Sequence, residues 1–184
     1  MNQVKLTGHL LIATPALDTT PFERTVVLVI QQNQQGTFGA VLNRPADEGM
    51  QIAWQSISGR RIGSDRNILA GGPVGGPVFA IHQDPNIAEF QIDEGLYFAA
   101  KSQSLKSLVN GQDKYKVFFG AAGWTTGQLE REISEGNWIH FPVTSNVIFK
   151  SDNLTWTSAF REFGRQTIAT VVGIKNFPAD PTLN

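Results

Sequence analysis

Short apolar segments of strand length recur along this chain of 184 residues, and each ends in glycine, proline, asparagine, arginine or threonine. Two of them, residues 26–30 and 38–42, are separated by a glutamine-rich stretch over 31–37, which predicts a hairpin. Pro45 has no amide hydrogen and biases the residue before it toward an extended conformation, so the second strand should end near Asn43. The pattern requires a fold built on a sheet, with polar side chains where strands stop.

Six further apolar segments are bounded by turn residues and are predicted as strands, at residues 67–70, 78–82, 90–92, 96–100, 116–120 and 138–141. The glycine- and proline-rich segment 71–77 connects the first two of these strands. Residues 93–95, Asp-Glu-Gly, form the turn between the next two.

Helices are predicted at residues 53–57, 102–110, 126–135 and from Asp152 onward. Ser102 can cap the second of these helices, and the sequence TTGQ at 125–128 fits a capping box for the third. Residues 165–174 fit either a continuation of the last helix or a strand. Strands joined by short turns early in the chain, with helices later, favour an α+β fold over a doubly wound parallel sheet.

The length suits one domain, assigned to residues 1–175, with residues 176–184 as a C-terminal tail. The chain has no cysteine, which excludes disulfides, a thiol nucleophile and thiolate metal ligands. No stretch approaches the roughly 20 apolar residues of a membrane span, and apolar residues 10–13 are too few for a signal-peptide core. These features predict a cytoplasmic protein without membrane segments.

The charge is balanced, with 15 lysines and arginines against 16 aspartates and glutamates. Nucleic-acid binding draws on clustered basic side chains that neutralise phosphates. The local cluster of Arg60, Arg61 and Arg66 is diluted by Asp65 and fits a solvated loop. Direct binding to DNA is therefore not expected.

Five sequence blocks occur in a fixed order along the chain: GHLLIATP at 8–15, FERTVVL at 22–28, GAVLNRP at 39–45, GGPV at 71–74 and GWTTGQLEREI at 123–133. With these blocks the chain resembles the YqgE/AlgH family, bacterial proteins described as transcriptional regulators and without an established activity. The resemblance implies a largely antiparallel, barrel-like sheet with flanking helices. Family members commonly carry a histidine in the hairpin turn where this chain has Gln32, so any chemistry of that histidine is absent here.

The histidines His9, His82 and His140 lie in separate predicted strands, without the short spacing typical of a metal site. We therefore expect no metal and no other cofactor. His9 fits a hydrogen-bonded structural histidine better than a general base. The Gly-x-Ser-x-Gly elbow of many serine hydrolases does not occur.

Two segments share some features of anion sites. Gly71 and Gly72 open a glycine-rich segment, but a strand follows where a phosphate loop has a helix, so a tight turn with positive φ is the better interpretation. The segment from Trp124 to Gln128 is the stronger candidate, because free N–H groups at a helix N-terminus attract anions. The alternative is that Thr125 and Gln128 occupy those donors as a capping box.

Arg24 and Arg44 each adjoin a predicted strand, and a planar guanidinium there can bind a carboxylate or a phosphate. The alternative is that both arginines pair with Glu23, with Asp47 or with carboxylates of the helix over 126–135. In the first case they belong to a ligand site, and in the second they belong to the scaffold.

The prediction for function is a regulatory protein that binds a small ligand or a protein partner. The alternative is a hydrolase-like enzyme in which Arg24, Asn43 and Arg44 hold an anionic substrate and Glu130 or His9 acts as acid or base. The candidate cleft residues are His9, Thr14, Arg24, Asn43, Arg44, Gly71, Gly72, Trp124, Gln128 and Glu130.

Overall fold

The structure, a computed structural model, describes residues 5–59, 68–150 and 154–172. Within these ranges the strands are β1 (His9–Ala13), β2 (Val26–Asn33), β3 (Gly36–Val41), β4 (Ile68–Ala70), β5 (Val74–His82), β6 (Phe90–Asp93), β7 (Leu96–Ala99), β8 (Tyr115–Trp124) and β9 (Trp138–Pro142). The α-helices are α1 (Glu48–Ser58), α2 (Ser102–Asn110), α3 (Gln128–Ser134), α4 (Ser145–Lys150) and α5 (Trp156–Val172). Short 3-10 helices occur at Pro15–Leu17 and Pro85–Ile87.

The strands form one sheet in the order β6-β7-β5-β8-β3-β2-β1-β9, and β4 pairs with β8 outside this path. The pairs along the path are antiparallel, whereas β4 is parallel to β8. The sheet curls into a half-barrel. This confirms the predicted α+β fold, a largely antiparallel, barrel-like sheet with flanking helices in a single domain.

Alternating apolar side chains build a core on both faces of the sheet, because successive residues of a strand point to opposite sides. In β1, Leu10 and Ile12 join a large cluster inside the half-barrel that also includes residues of α4 and α5. Leu11 and Ala13 join a second cluster on the opposite face, beneath α3. A third cluster, around Trp54, holds α1 and α2 against β4, β5 and β8.

The β2–β3 hairpin is longer than its apolar residues predict. β2 continues to Asn33 and β3 begins at Gly36, so the turn has two residues. Gln32 pairs with Thr37 across the ladder, which places the glutamine-rich stretch within the strands and corrects the predicted loop over 31–37. Backbone pairing therefore continues past the apolar core and into the polar end of the hairpin.

β5 also begins earlier than predicted, at Val74, inside the segment expected to be a turn. Val74 pairs with Ala121 and Val78 pairs with Phe119, so the intervening residues form an irregularity of the strand. The prediction of a turn over residues 71–77 is therefore wrong for its second half.

A side-chain cap explains where α1 begins, whereas α2 has no side-chain cap. Asp47 accepts a hydrogen bond from the backbone N–H of Met50 at 2.8 Å, which starts α1 well before the predicted residue 53. Ser102 is the first helical residue of α2 and not its cap. Glu89 holds the backbone immediately before α2, where it accepts the N–H of Lys101 at 2.6 Å.

The helix after β8 starts at Gln128, later than predicted, because Gly127 adopts a left-handed φ of 76°. The predicted last helix corresponds to α5, which begins at Trp156 and continues to Val172, so residues 165–172 are helical. The short helix α4 precedes the predicted start near Asp152 and was not predicted. The tail over 176–184, Asp152 and the cluster of Arg60, Arg61 and Arg66 lie outside the described residues. Among the helices of the described ranges, none is both long enough and apolar enough to cross a membrane.

Candidate functional site

A groove of about 620 Å³ opens between the β2–β3 turn, the start of β5, the β6–β7 hairpin and the end of β8. We call it the aromatic groove. Cavities of this size in proteins commonly hold small organic ligands. Its lining residues are Gln31, Asn33, Gln35, Gly36, Thr37, Phe38, Val74, Phe90, Phe98, Gly123, Trp124, Thr125 and Gln128.

Phenylalanines from three different strands form the floor of the aromatic groove. Phe38, Phe90 and Phe98 are each partly buried and pack on the core inside the half-barrel. The Phe98 ring stacks on Phe90, with ring centroids 4.7 Å apart, and on the buried Phe79 at 5.4 Å. Such partly exposed rings provide an aromatic surface against which a ligand ring can pack. In the sequence these residues resemble ordinary core positions of strands, and no local signal marks them as site residues.

Trp124 ends β8 beside the groove and is held by the carboxylate of Glu132, which was not among the predicted site residues. The indole N–H of Trp124 donates to Glu132 Oε2 at 3.0 Å, and that of Trp138 donates to the same oxygen at 2.8 Å. Phe22 stacks on Trp124, with ring centroids 5.8 Å apart. Both tryptophans are buried, as expected for core residues whose indole N–H groups are satisfied.

Gln128 organises the first turn of α3. Its Oε1 accepts hydrogen bonds from the backbone N–H and the hydroxyl of Thr125, at 3.0 and 3.1 Å, and its Nε2 donates to Glu132 at 2.9 Å. The predicted capping box is therefore formed only by its Gln128 side chain, because the backbone N–H of Gln128 donates to the carbonyl oxygen of Thr125 and the cap of α3 is Gly127. With the Gln128 amide occupied and α3 only seven residues long, the helix terminus lends little support to an anion site.

Glu130 lies on the same helix and contacts β2. Its Oε1 accepts a hydrogen bond from Gln32 Nε2 at 2.7 Å, and Gln32 Oε1 accepts the backbone N–H of Leu6 at 2.8 Å. Gln32 thus lies in a strand, not in the hairpin turn. It connects the segment before β1 to α3.

Arg24, Asn43 and Arg44 meet at the other end of the hairpin, where β2 begins and β3 has ended. Asn43 Oδ1 accepts the backbone N–H of Val26 at 2.9 Å, and Asn43 Nδ2 donates to the carbonyl oxygen of Arg24 at 2.8 Å. Arg24 has a left-handed φ of 48°, which is uncommon for a residue other than glycine. The Asn43 side chain therefore stabilises an unusual backbone conformation.

The two guanidinium groups differ in their surroundings. Arg24 is exposed, whereas Arg44 is half-buried and donates to the carbonyl oxygen of Glu23 at 3.4 Å. Neither arginine forms an ion pair with a carboxylate in the described part of the chain. Their donors therefore remain largely available.

The arginine end of the hairpin is remote from the aromatic groove. β2 has eight residues. At about 3.3 Å per residue its ends are about 23 Å apart. Arg24 precedes the first end, and Asn33 at the second end lines the groove.

Three more candidates contribute to backbone packing. The Thr14 hydroxyl donates to the carbonyl oxygen of Gly136 at 2.8 Å. The N–H of Gly71 donates to the carbonyl oxygen of Phe119 at 2.7 Å, and a Cβ at Gly71 or Gly72 would collide with the backbone of β8. These glycines allow the chain to cross β8 closely, and they do not form a phosphate loop.

His9 in β1 faces His140 in the neighbouring strand β9, and their Nδ1 atoms are 3.2 Å apart. Burial lowers the pKa of His9 and the nearby His140 lowers it further, while Asp93 opposes this shift. A neutral His9 can share one hydrogen bond with His140, since one ring nitrogen donates and the other accepts. Among the described residues, no group of three or more His, Cys, Asp or Glu side chains is placed to hold a metal ion.

A family model described as AlgH-like matches residues 10–168 of the chain. The chain belongs to this family. Among AlgH-like relatives, a UPF0301 protein of Thermobifida fusca is 32% identical over 206 aligned residues, which cover 100% of this chain and 98% of the relative. A UPF0301 protein of Cytophaga hutchinsonii is 30% identical over 186 residues and covers 96% and 98% of the two chains.

Solved structures share the AlgH-like fold. The solution structure of the AlgH protein from Pseudomonas aeruginosa superposes with a TM-score of 0.69 at 23% identity, over 97% of this chain and 100% of that chain. A crystal structure of a Corynebacterium diphtheriae protein gives a TM-score of 0.64 at 22% identity, over 88% and 89% of the two chains. The family predicted from the five sequence blocks is confirmed, and the structures support the fold.

Proposed function

We propose that this AlgH-like protein is a binding protein that takes a small ligand in the aromatic groove. The observation that carries the proposal is a concave site of about 620 Å³ with three partly buried phenylalanines at its floor and amide side chains at its rim. Binding sites for small molecules typically combine an aromatic lining with a few polar groups that orient the ligand.

The hydrolase-like alternative has weaker support. Catalysis requires an acid or base within about 3 Å of a substrate atom, and the described lining of the groove contains no carboxylate and no histidine. Glu130 is bonded to Gln32, His9 lies against His140, and Arg24 is at the far end of the hairpin. These residues do not converge on one cleft.

We also propose that any regulatory role acts through the bound ligand or a protein partner and not through direct contact with DNA. The balance of 15 basic against 16 acidic residues supports this view. We expect no gel shift of duplex DNA at physiological salt. A sub-micromolar shift with a steep salt dependence would contradict the proposal, because that slope counts phosphate contacts.

The binding proposal is tested by a fragment screen followed through backbone amide shifts in NMR spectra. We expect hits to shift the amides of Gly36, Gly123 and Thr125. Val74 and Ile52 are both 52% exposed, but Val74 lines the groove and Ile52 lies on α1. Val74→Trp should fill the groove and abolish these shifts, whereas the matched control Ile52→Trp should leave them unchanged.

If the shifted amides cluster at the arginine end of the hairpin, the binding site lies at Arg24 and Arg44 and not in the groove. A screen without any shift at the groove would refute the proposed function. Well-dispersed spectra of both tryptophan variants establish that a lost shift reflects a filled groove and not an unfolded protein.

A further inference from the structure

The described side chains that line the aromatic groove are all uncharged at neutral pH. Its polar groups are the amides of Gln31, Asn33, Gln35 and Gln128 and the hydroxyls of Thr37 and Thr125. Its apolar surface comes from the three phenylalanines and from Val74, which is half-exposed. The site therefore offers hydrogen bonds and aromatic contacts, but no countercharge.

Two of the rim amides are available to a ligand. Gln31 and Gln35 are exposed, and their side chains form no hydrogen bond with another described residue. Each primary amide both donates and accepts hydrogen bonds. Gln128 is already occupied by Thr125 and Glu132, and Asn33 Oδ1 accepts the backbone N–H of Gln35 at 2.8 Å. The free polar groups thus complement amide-like groups, which also present a donor and an acceptor.

The hydration of a ligand's charge decides between ligand classes. An ionic group that leaves water for the phenylalanine floor loses hydration, and a groove without countercharge does not restore it. A neutral amide at the same position exchanges hydrogen bonds with water for hydrogen bonds with Gln31 or Gln35 at little loss. A flat ring gains contact with the partly exposed side chains of Phe90 and Phe98.

We propose that the aromatic groove takes an uncharged small molecule that combines a flat ring with amide-like hydrogen-bonding groups. This inference rests on the proposed function, that the groove is a binding site. It differs from the anionic substrate expected from Arg24 and Arg44, which lie at the other end of β2.

The test uses three probes of nearly equal shape: 2-naphthamide, which is neutral, 2-naphthoate, an anion, and 2-naphthamidine, a cation. Dissociation constants come from titrations of the groove amides in NMR spectra of the full chain. We expect 2-naphthamide to bind at least about tenfold more tightly than either charged probe, which corresponds to a difference of about 1.4 kcal/mol in binding free energy.

Charged variants at Val74 test the cause of this preference. Val74→Lys should selectively strengthen the binding of 2-naphthoate by about threefold to fivefold. Val74→Glu should strengthen the binding of 2-naphthamidine to the same extent. The expected changes are small because a partly exposed ion pair contributes modestly to affinity. Ile52→Lys and Ile52→Glu add the same charges on α1, and we expect the dissociation constants of both charged probes to stay unchanged in these variants.

Equal or tighter binding of a charged probe to the wild-type groove would overturn the ligand class and leave the proposed function intact. The ligand class is also refuted if none of the three probes shifts the groove amides while other fragments do. If no fragment of any kind shifts them, the proposed function fails as well.

Discussion

Replacement of Glu132 tests the network that holds Trp124 at the groove. Glu132 Oε2 accepts both indole N–H groups, from Trp124 at 3.0 Å and Trp138 at 2.8 Å, and Glu132 Oε1 accepts the Gln128 amide at 2.9 Å. The tryptophans are only 4% and 3% exposed, so water has little access to their N–H groups once the carboxylate is removed. Glu132→Ala therefore leaves two buried donors without an acceptor.

The expected cost follows from these two donors. Each unsatisfied buried donor costs about 1–3 kcal/mol, so Glu132→Ala should lower the free energy of unfolding by about 2–6 kcal/mol. This is a large fraction of the roughly 5–15 kcal/mol that typically stabilises a folded domain. Glu132→Gln keeps an oxygen for the indoles but sets its NH₂ against the Gln128 NH₂, so we expect a loss of about 1–2 kcal/mol. The matched control is Glu135→Ala, because Glu135 is exposed near the end of the same helix.

Urea melts followed by far-UV circular dichroism measure the loss, because tryptophan fluorescence would itself respond to the changed indole environment. Constant m-values are required before midpoints are compared. We expect wild type and Glu135→Ala to be the most stable, Glu132→Gln to be less stable, and Glu132→Ala to be the least stable. A Glu132→Ala protein within about 0.5 kcal/mol of wild type would refute the reasoning, since surface substitutions produce changes of that size.

Asn43→Ala is expected to lower the free energy of unfolding by about 2–4 kcal/mol, because the buried N–H of Val26 loses its acceptor and the carbonyl of Arg24 loses its donor. Asn43→Asp keeps the acceptor and should lose less in the same urea melts. Arg24→Ala should stay within about 0.5 kcal/mol of wild type because the side chain is exposed, and a loss of several kcal/mol would make it part of the scaffold. Burial lowers the pKa of His9 and His82 below 6.5. The unfolded chain then binds more protons than the folded chain, so melts should show stability falling from about pH 7.5 to about pH 5.5, and His82→Gln should reduce that slope.

Local sequence signals predicted most strands, because each buried strand has an apolar run bounded by turn residues. The β6–β7 hairpin, whose turn consists of Glu94 and Gly95, illustrates this. Predictions were weaker where a partner distant in sequence determines the element. Glu89, for example, accepts the backbone N–H of Lys101 immediately before α2, and Ser102 is the first helical residue instead of the cap.

The aromatic groove could not be predicted from the sequence for a related reason. Phe38 and Phe98 belong to strands that are far apart in the chain and are separated in the sheet by β8 and β5. Only the strand order and the curl of the sheet bring the centroids of the two rings to a distance of 6.2 Å. Periodicity assigns each phenylalanine to a buried face, but it does not show which faces remain partly open.

Polar residues at strand ends were the main basis for the predicted cleft, and the structure shows why such residues are ambiguous. A chain that enters a strand through a left-handed residue, as at Arg24, leaves backbone groups that need partners, and Asn43 supplies them. The polar groups at that end are thus partly consumed by the backbone. At the opposite end of the same hairpin the ladder satisfies the backbone through Asn33 and Gly36, so the amides of Gln31 and Gln35 remain free beside an aromatic floor. Polarity at a strand end therefore indicates a binding site only where the local backbone does not already require it.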